Sequence, residues 1–171
     1  NTNEHPRATI TVETRDARFS KWIREKFPAH KYKKAATIMY PIRAVKEKEE
    51  IELIKSACNI TKLGVNKVIS TLKPGIYEYE IEAEIIREFI LNRSRGFAYD
   101  PIIASGHNAC ILHYGSNNEV CESGDIVLMD FGAEYANYAS DLTRCFPVNG
   151  KFSRRQKKIY NSVLSVMKKA Q

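Results

Sequence analysis

The sequence predicts an α+β fold in which helices pack on an antiparallel sheet. Between residues 46 and 93 apolar side chains recur at three- and four-residue steps, the period of amphipathic helices. Beyond Gly96 the pattern changes to short apolar or alternating runs separated by Gly, Asn and Asp, which is the grammar of strands and turns. From Ser153 onward the helical period returns.

Taken in order, Thr9 to Thr14 alternates β-branched and polar residues as a short strand does, and Asp16 to Lys26 reads as a short helix around Trp22. Ala35 to Tyr40 is a second short apolar run, ending at Pro41. These pieces are too few to close a core. Residues 1–45 therefore read as the tail of a preceding domain, with Pro41 to Val45 as its connector, and residues 46–171 as the start of a second domain. From Lys46 to Leu72 the residues Ile51, Ile54, Cys58, Val65, Val68, Ile69 and Leu72 trace one helix face, and Lys73-Pro74-Gly75 ends the helix. Another helix is expected from Tyr77 to Arg93, burying Ile81, Ile85, Ile86, Phe89 and Ile90 and leaving its glutamates in water. Strands are expected at Tyr99 to Ala104, Ala109 to Tyr114, Asp125 to Ala133 and Tyr138 to Val148. Ser153-Arg154-Arg155-Gln156 has the form of a capping box and opens the last helix. That helix carries Ile159, Tyr160, Val163, Leu164 and Met167 on one face and reaches Gln171 without Gly or Pro, so the chain is expected to be truncated.

The net charge of +7 narrows the partners once its location is known. Residues 1–48 hold 12 Lys/Arg against 5 Asp/Glu, whereas residues 49–171 hold 15 of each. The N-terminal bases alternate with Trp22, Ile23 and Phe27 at helical spacing, which favours a solvated helix face over a nucleic-acid stripe. Polyanion binding through residues 1–48 stays as an alternative, with steep salt dependence as its signature. No apolar run approaches the roughly 20 residues of a membrane span, and no leader is visible, so a soluble protein is expected. Cys58, Cys110, Cys121 and Cys145 form no C-x-x-C pair and lie in apolar patterns; reduced, buried thiols suit the cytoplasm.

One constellation points to chemistry. Ile126-Val127-Leu128-Met129-Asp130-Phe131-Gly132 places a carboxylate inside an otherwise apolar strand, and Tyr138-Ala139-Ser140-Asp141-Leu142-Thr143 does the same. If Glu134-Tyr135-Ala136-Asn137 is a four-residue hairpin loop, Asp130 stands directly opposite Asp141, on one face and roughly 4.5–5.5 Å apart at Cβ. Two such acids repel, and burying both as anions costs several kcal/mol each unless a cation neutralises them. Carboxylate oxygens favour a hard divalent ion such as manganese over thiolate zinc. Either acid could instead cap a turn or pair with a base, although Arg144 should face the other way.

The segment Ile103-Ala104-Ser105-Gly106-His107-Asn108-Ala109-Cys110-Ile111-Leu112-His113-Tyr114 adds specificity. Together with Met129-Asp130-Phe131-Gly132, with Ala139 to Pro147 and with Val148-Asn149-Gly150-Lys151-Phe152, it resembles the aminopeptidase P and prolidase group of pita-bread metallopeptidases. The likeness runs from about Val45 to the end of the chain and implies an incomplete pita-bread fold. It implies two divalent ions, of manganese type, with Asp130 as the first aspartate ligand and Asp141 as the bridging one. A shared hydroxide would be the nucleophile. His113 corresponds to a catalytic histidine that contacts substrate or the reacting carbonyl and is not a metal ligand; the alternative for it is a satisfied core histidine at a strand end. The substrates implied are peptides with proline at the second position. Thr143, on the face of Asp141, is a candidate hydrogen-bond donor behind the metal ligands. Tyr99 could line the pocket, with core packing as its other use, and Ser105, Gly106 and Asn108 should shape a turn.

Complete members of the group supply one histidine and two glutamates from the second half of the fold. After Asp141 this sequence contains no His, Asp or Glu. The chain by itself is thus expected to be inactive and to hold metal weakly or not at all, while its parent is an enzyme. Self-association into a homo-oligomer is expected, because it would cover the exposed sheet face and last helix. A non-catalytic pita-bread peptide-binding module is the other alternative.

Overall fold

The computed structural model describes residues 13–170, and the chain divides into two compact units, Asn1–Glu47 and Lys48–Gln171. The strand expected at Thr9 to Thr14 falls almost wholly outside the described residues. In the first unit Thr14 caps helix α1 (Arg15–Lys26), its hydroxyl accepting the Ala17 N–H at 3.2 Å. Past the helix end the Tyr32 hydroxyl returns to the Ile23 and Phe27 carbonyls, each at 2.8 Å, and its ring lies under the Arg24 guanidinium. Pro41 is not a connector. It lies inside α2 (Ala36–Ala44), where the apolar run continues as helix despite one lost backbone hydrogen bond, and the extended residue is Val45.

The second unit begins with α3 (Lys48–Thr71) and α4 (Glu78–Leu91), close to their expected limits. Val65 and Val68 of the expected α3 face are buried, but Ala57, Ile60, Thr61 and Gly64 complete the buried face, while Cys58 and Ile69 are exposed. Close approach explains the choice of small residues. A Cβ on Gly64 would sit 2.9 Å from the Phe89 ring of α4. On α4 the residues Ile81, Ile85 and Phe89 are buried as expected, but Ile90 is 61% exposed and Glu78 is fully buried.

Six strands follow: β1 (Gly96–Phe97), β2 (Ile102–Ser105), β3 (Ile126–Phe131), β4 (Ala133–Tyr135), β5 (Tyr138–Ala139) and β6 (Leu142–Pro147). They form two antiparallel three-stranded sheets, ordered β1-β4-β5 and β2-β3-β6. The strand expected at Ala109 to Tyr114 is absent. Gly106–Cys110 is a 3₁₀ turn instead, with residues 111–119 in loop conformation. The strand expected at Asp125 to Ala133 is β3, whose Val127, Met129 and Phe131 face the core while Ile126, Leu128 and Asp130 face the other way. Phe131 meets Phe89 and Phe97 at centroid distances of 6.0 and 6.4 Å, joining α4 and both sheets in one apolar core. The last helix, α5 (Arg154–Ala170), opens on the expected capping box: the Ser153 N–H donates to Gln156 Oε1 at 2.8 Å and the Gln156 N–H to Ser153 Oγ at 3.3 Å. No helix among the described residues is long and apolar enough to cross a membrane.

The hairpin register needs correction. Glu134 and Tyr135 stay in the ladder, paired with Ala139 and Tyr138, so the turn is the two-residue Ala136–Asn137 rather than four residues. Both carry positive φ, 50° and 68°, as a type I′ turn requires, and Asn tolerates that region well. Asp130 consequently pairs with Thr143, not with Asp141. The slip is two residues, an even number, and faces are preserved.

Candidate metal centre

Asp130 reaches the open face of β3 by strand alternation, whereas Asp141 reaches it through a break in the hairpin. Regular pairing stops at Phe131 and Leu142 and resumes at Glu134 and Ala139, leaving Gly132, Ser140 and Asp141 between the two ladders. At Gly132 the chains nearly touch. A Cβ there would lie 1.8 Å from the Ser140 carbonyl oxygen, so only glycine fits. The Ala98 N–H donates to the Gly132 carbonyl at 2.8 Å and thereby brings the next residue, Tyr99, to the break.

The Tyr99 hydroxyl then contacts both acids, at 2.7 Å from Asp130 Oδ1 and 3.0 Å from Asp141 Oδ1. One phenolic proton is shared between two carboxylates. Burial, then the hydrogen bonds to Asp130 and Asp141, and then their charges push the Tyr99 phenol far above its ordinary value. Among the described residues neither acid forms an ion pair; Arg144 stands opposite Met129 and its guanidinium donates to the Thr143 carbonyl.

The acids are not deeply buried, as the sequence suggested. Asp130 is half-buried and Asp141 is exposed, because no described element covers this face of the sheet. Desolvation therefore does not by itself demand a cation here. What favours one is convergence, since two carboxylates on a single hydroxyl are a hard oxygen donor set for a divalent ion. The set is partial. No group of three or more His, Cys, Asp or Glu side chains able to hold a metal occurs among the described residues. Thr143 lies opposite Asp130, but among the described residues no hydrogen bond joins its hydroxyl to either carboxylate.

His113 lies outside any strand, exposed on the turn after the 3₁₀ segment, with a φ of 53°. A core histidine is thereby excluded. Left-handed backbone at a non-glycine residue is costly and persists where neighbours impose it. The neighbours here converge on Glu78, at the first turn of α4. Its Oε1 accepts the Ser105 N–H at 2.7 Å and Asn108 Nδ2 at 3.3 Å; its Oε2 accepts the Tyr114 hydroxyl at 2.7 Å and the Glu119 N–H at 3.1 Å. The helix N-terminus adds favourable potential for that anion. Ser105 and Asn108 thus shape the turn, as their types suggested, but the carboxylate that organises them was read as solvated.

Residues 52–171 match the metallopeptidase family M24 model. The chain belongs to metallopeptidase family M24. Among its relatives, the Xaa-Pro aminopeptidase of Haemophilus influenzae is 48% identical over 129 residues, covering 75% of this chain and 30% of that protein. The Xaa-Pro aminopeptidase of Escherichia coli is 42% identical over 127 residues, covering 74% and 29%. A solved structure of zinc-substituted E. coli aminopeptidase P in complex with product aligns with a TM-score of 0.71 at 44% identity, covering 72% of this chain and 28% of that one. This M24 chain therefore spans about 30% of the length of the curated relatives it matches. Its helices and antiparallel sheets are part of the pita-bread fold of the aminopeptidase P group.

A groove of about 410 Å³ beside α3 and β6 reaches one member of the carboxylate pair, with Asp141 and the preceding Ser140 on its wall. Leu142, Arg144 and Phe146 line it, the residues that alternate with Thr143 and Cys145 along β6. Of the cysteines, only Cys121 is buried; Cys145 is half-buried, and Cys58 and Cys110 are exposed because they fall outside the packed faces.

Proposed function

We propose that this chain carries the first half of the catalytic domain of a metal-dependent exopeptidase that hydrolyses Xaa-Pro bonds, with residues 1–45 as the tail of a preceding domain and linker. The observation that carries the reading is the convergence of Asp130 and Asp141 on one hydroxyl at the open face of the sheet. The M24 membership and the names of the relatives support it.

On this reading Asp130 and Asp141 hold divalent ions, of manganese type and two in number, in the full-length protein. When bound, such ions polarise the scissile carbonyl and lower the pKa of coordinated water. The residues of this chain do the rest that lies within it. The carboxylates fix position and charge, and Tyr99 holds them on one face. His113, exposed on a turn anchored through Ser105, Asn108, Tyr114 and Glu119, presents an imidazole to substrate and donates toward charge developing on the carbonyl oxygen. Thr143 flanks Asp130 on the same strand face. Two aspartates alone hold a cation weakly, so residues 1–171 by themselves are inactive.

The test uses the full-length protein with added Mn²⁺ and a peptide bearing proline at the second position. Release of the amino-terminal residue is expected. Asp130→Asn and Asp141→Asn should each abolish it, and His113→Ala should lower kcat by roughly 10²–10³-fold, the range for removing one oxyanion donor. Peptide binding without turnover by the wild-type protein would overturn the proposal in favour of a non-catalytic module.

A further inference from the structure

The break that delivers Asp141 leaves backbone groups without ladder partners, and two buried hydroxyls take their place. Thr61 on α3 is 2% exposed and Ser140, immediately before Asp141, is 6% exposed. The Ala133 N–H donates to Thr61 Oγ1 at 2.8 Å and lies 3.0 Å from Ser140 Oγ. The two hydroxyl oxygens are 2.6 Å apart, and Ser140 Oγ is 3.1 Å from the Ala133 carbonyl and 3.2 Å from that of Ala57. The Ser140 N–H also donates to the Ala133 carbonyl, at 3.0 Å.

The Thr61 hydroxyl is also 3.1 Å from the Ala57 carbonyl, so two proton assignments satisfy every donor: Thr61 donates to Ser140 and Ser140 to the Ala133 carbonyl, or Thr61 donates to the Ala57 carbonyl and Ser140 to Thr61. In both, the Ala133 N–H is taken by the hydroxyl pair. Such a network is mutually polarising in a low-dielectric interior. It locks the pinch at Gly132 to helix α3, and at that pinch the chain turns Asp141 out of the ladder toward Tyr99.

We propose that Thr61, acting through Ser140, is a positioning residue for Asp141 that ties the geometry of the carboxylate pair to helix α3. The proposal rests on the reading of Asp130 and Asp141 as metal ligands. Buried polar networks that orient metal ligands typically change affinity when cut, by roughly 10–100-fold. A hydroxyl pair serving only as core glue would change stability alone.

The experiment is calorimetric titration of Mn²⁺ into metal-stripped full-length protein, with urea unfolding of each variant measured in parallel. Thr61→Val keeps the side-chain shape and removes the hydroxyl; it is expected to weaken Mn²⁺ binding by roughly tenfold, with Ser140→Ala similar. Thr61→Ser keeps the hydroxyl and should retain parent affinity. Val68→Ala, a core cavity elsewhere on α3, should lower stability and leave Mn²⁺ affinity unchanged. Parent affinity in Thr61→Val beside a loss of binding in Asp141→Asn would overturn the positioning role while leaving the metal reading intact. If the wild type takes up no Mn²⁺, or Asp141→Asn binds as the parent does, the metal reading fails and this inference with it.

Discussion

Replacing Glu78 by glutamine isolates what one buried carboxylate does for the loop that carries His113. The two oxygens of Glu78 meet four donors and no acceptor. A glutamine in the same place can still accept from Ser105 and Asn108 through its oxygen, and its amide can donate to the Tyr114 hydroxyl once that rotates. It cannot accept from the Glu119 N–H, which would then face another donor. One stranded buried donor costs about 1–3 kcal/mol, and the weakening of charge-assisted bonds adds to that. Relief from burying an anion without a cation offsets part of it. The expected loss is therefore about 1–3 kcal/mol, read as a lower urea midpoint at unchanged m value. Amides between residues 105 and 119 should exchange faster while those of α3 do not. Glu78→Ala strands all four donors, about 4–12 kcal/mol on the same scale, and should approach the whole stability of an ordinary domain. A glutamine variant within about 0.5 kcal/mol of the parent, with exchange unchanged, would refute the claim that both oxygens must accept.

Gly132→Ala sets a methyl 1.8 Å from a backbone oxygen that no rotamer can move, so the loss should reach or exceed about 1–3 kcal/mol in chemical unfolding; parent-like stability would contradict the pinch. Tyr99→Phe removes the one hydroxyl among the described residues that touches both carboxylates, and about 1 kcal/mol of stability should go with it, the net worth of one hydrogen bond, with the circular dichroism spectrum unchanged. Tyr114 makes stability fall in alkali. Burial first, and then the hydrogen bond to Glu78 and its charge, raise the phenol above its ordinary value in the folded state, so its contribution is complete below about pH 10 and is lost as pH rises through the folded value. Urea midpoints of wild type and Tyr114→Phe should therefore run parallel from pH 7 to about 9 and converge above about 10; a constant offset at all pH values would contradict this.

Much of the fold was legible because local spacing encodes it. The apolar period of residues 46–93 marked two helices within two residues of their ends, and Ser153 and Gln156 marked the start of α5. The apolar run at Asp125 to Ala133 marked the strand that carries Asp130. On α3 the buried face keeps the expected Val65 and Val68 but turns toward Ala57, Thr61 and Gly64 and away from Ile69, because the helix comes so close to Phe89 that only glycine fits at residue 64. A polar residue inside such a small-residue stripe, as Thr61 is, was the available signal for a buried network.

The sequence by itself determined helices α3, α4 and α5, the strand that carries Asp130 and the family to which the chain belongs. All of these depend on residues near one another in the chain, where spacing and side-chain type act directly. Only the tertiary structure decided that the turn is Ala136–Asn137 and that Asp130 faces Thr143, because one backbone conformation at two residues sets the pairing of the whole hairpin. It alone showed Asp141 in solvent, Tyr99 between the acids, Glu78 holding Ser105, Asn108, Tyr114 and Glu119, and Thr61 bonded to Ala133 and Ser140. Those contacts join residues tens of positions apart, and hydrogen bonds of that range leave no periodic trace along the chain.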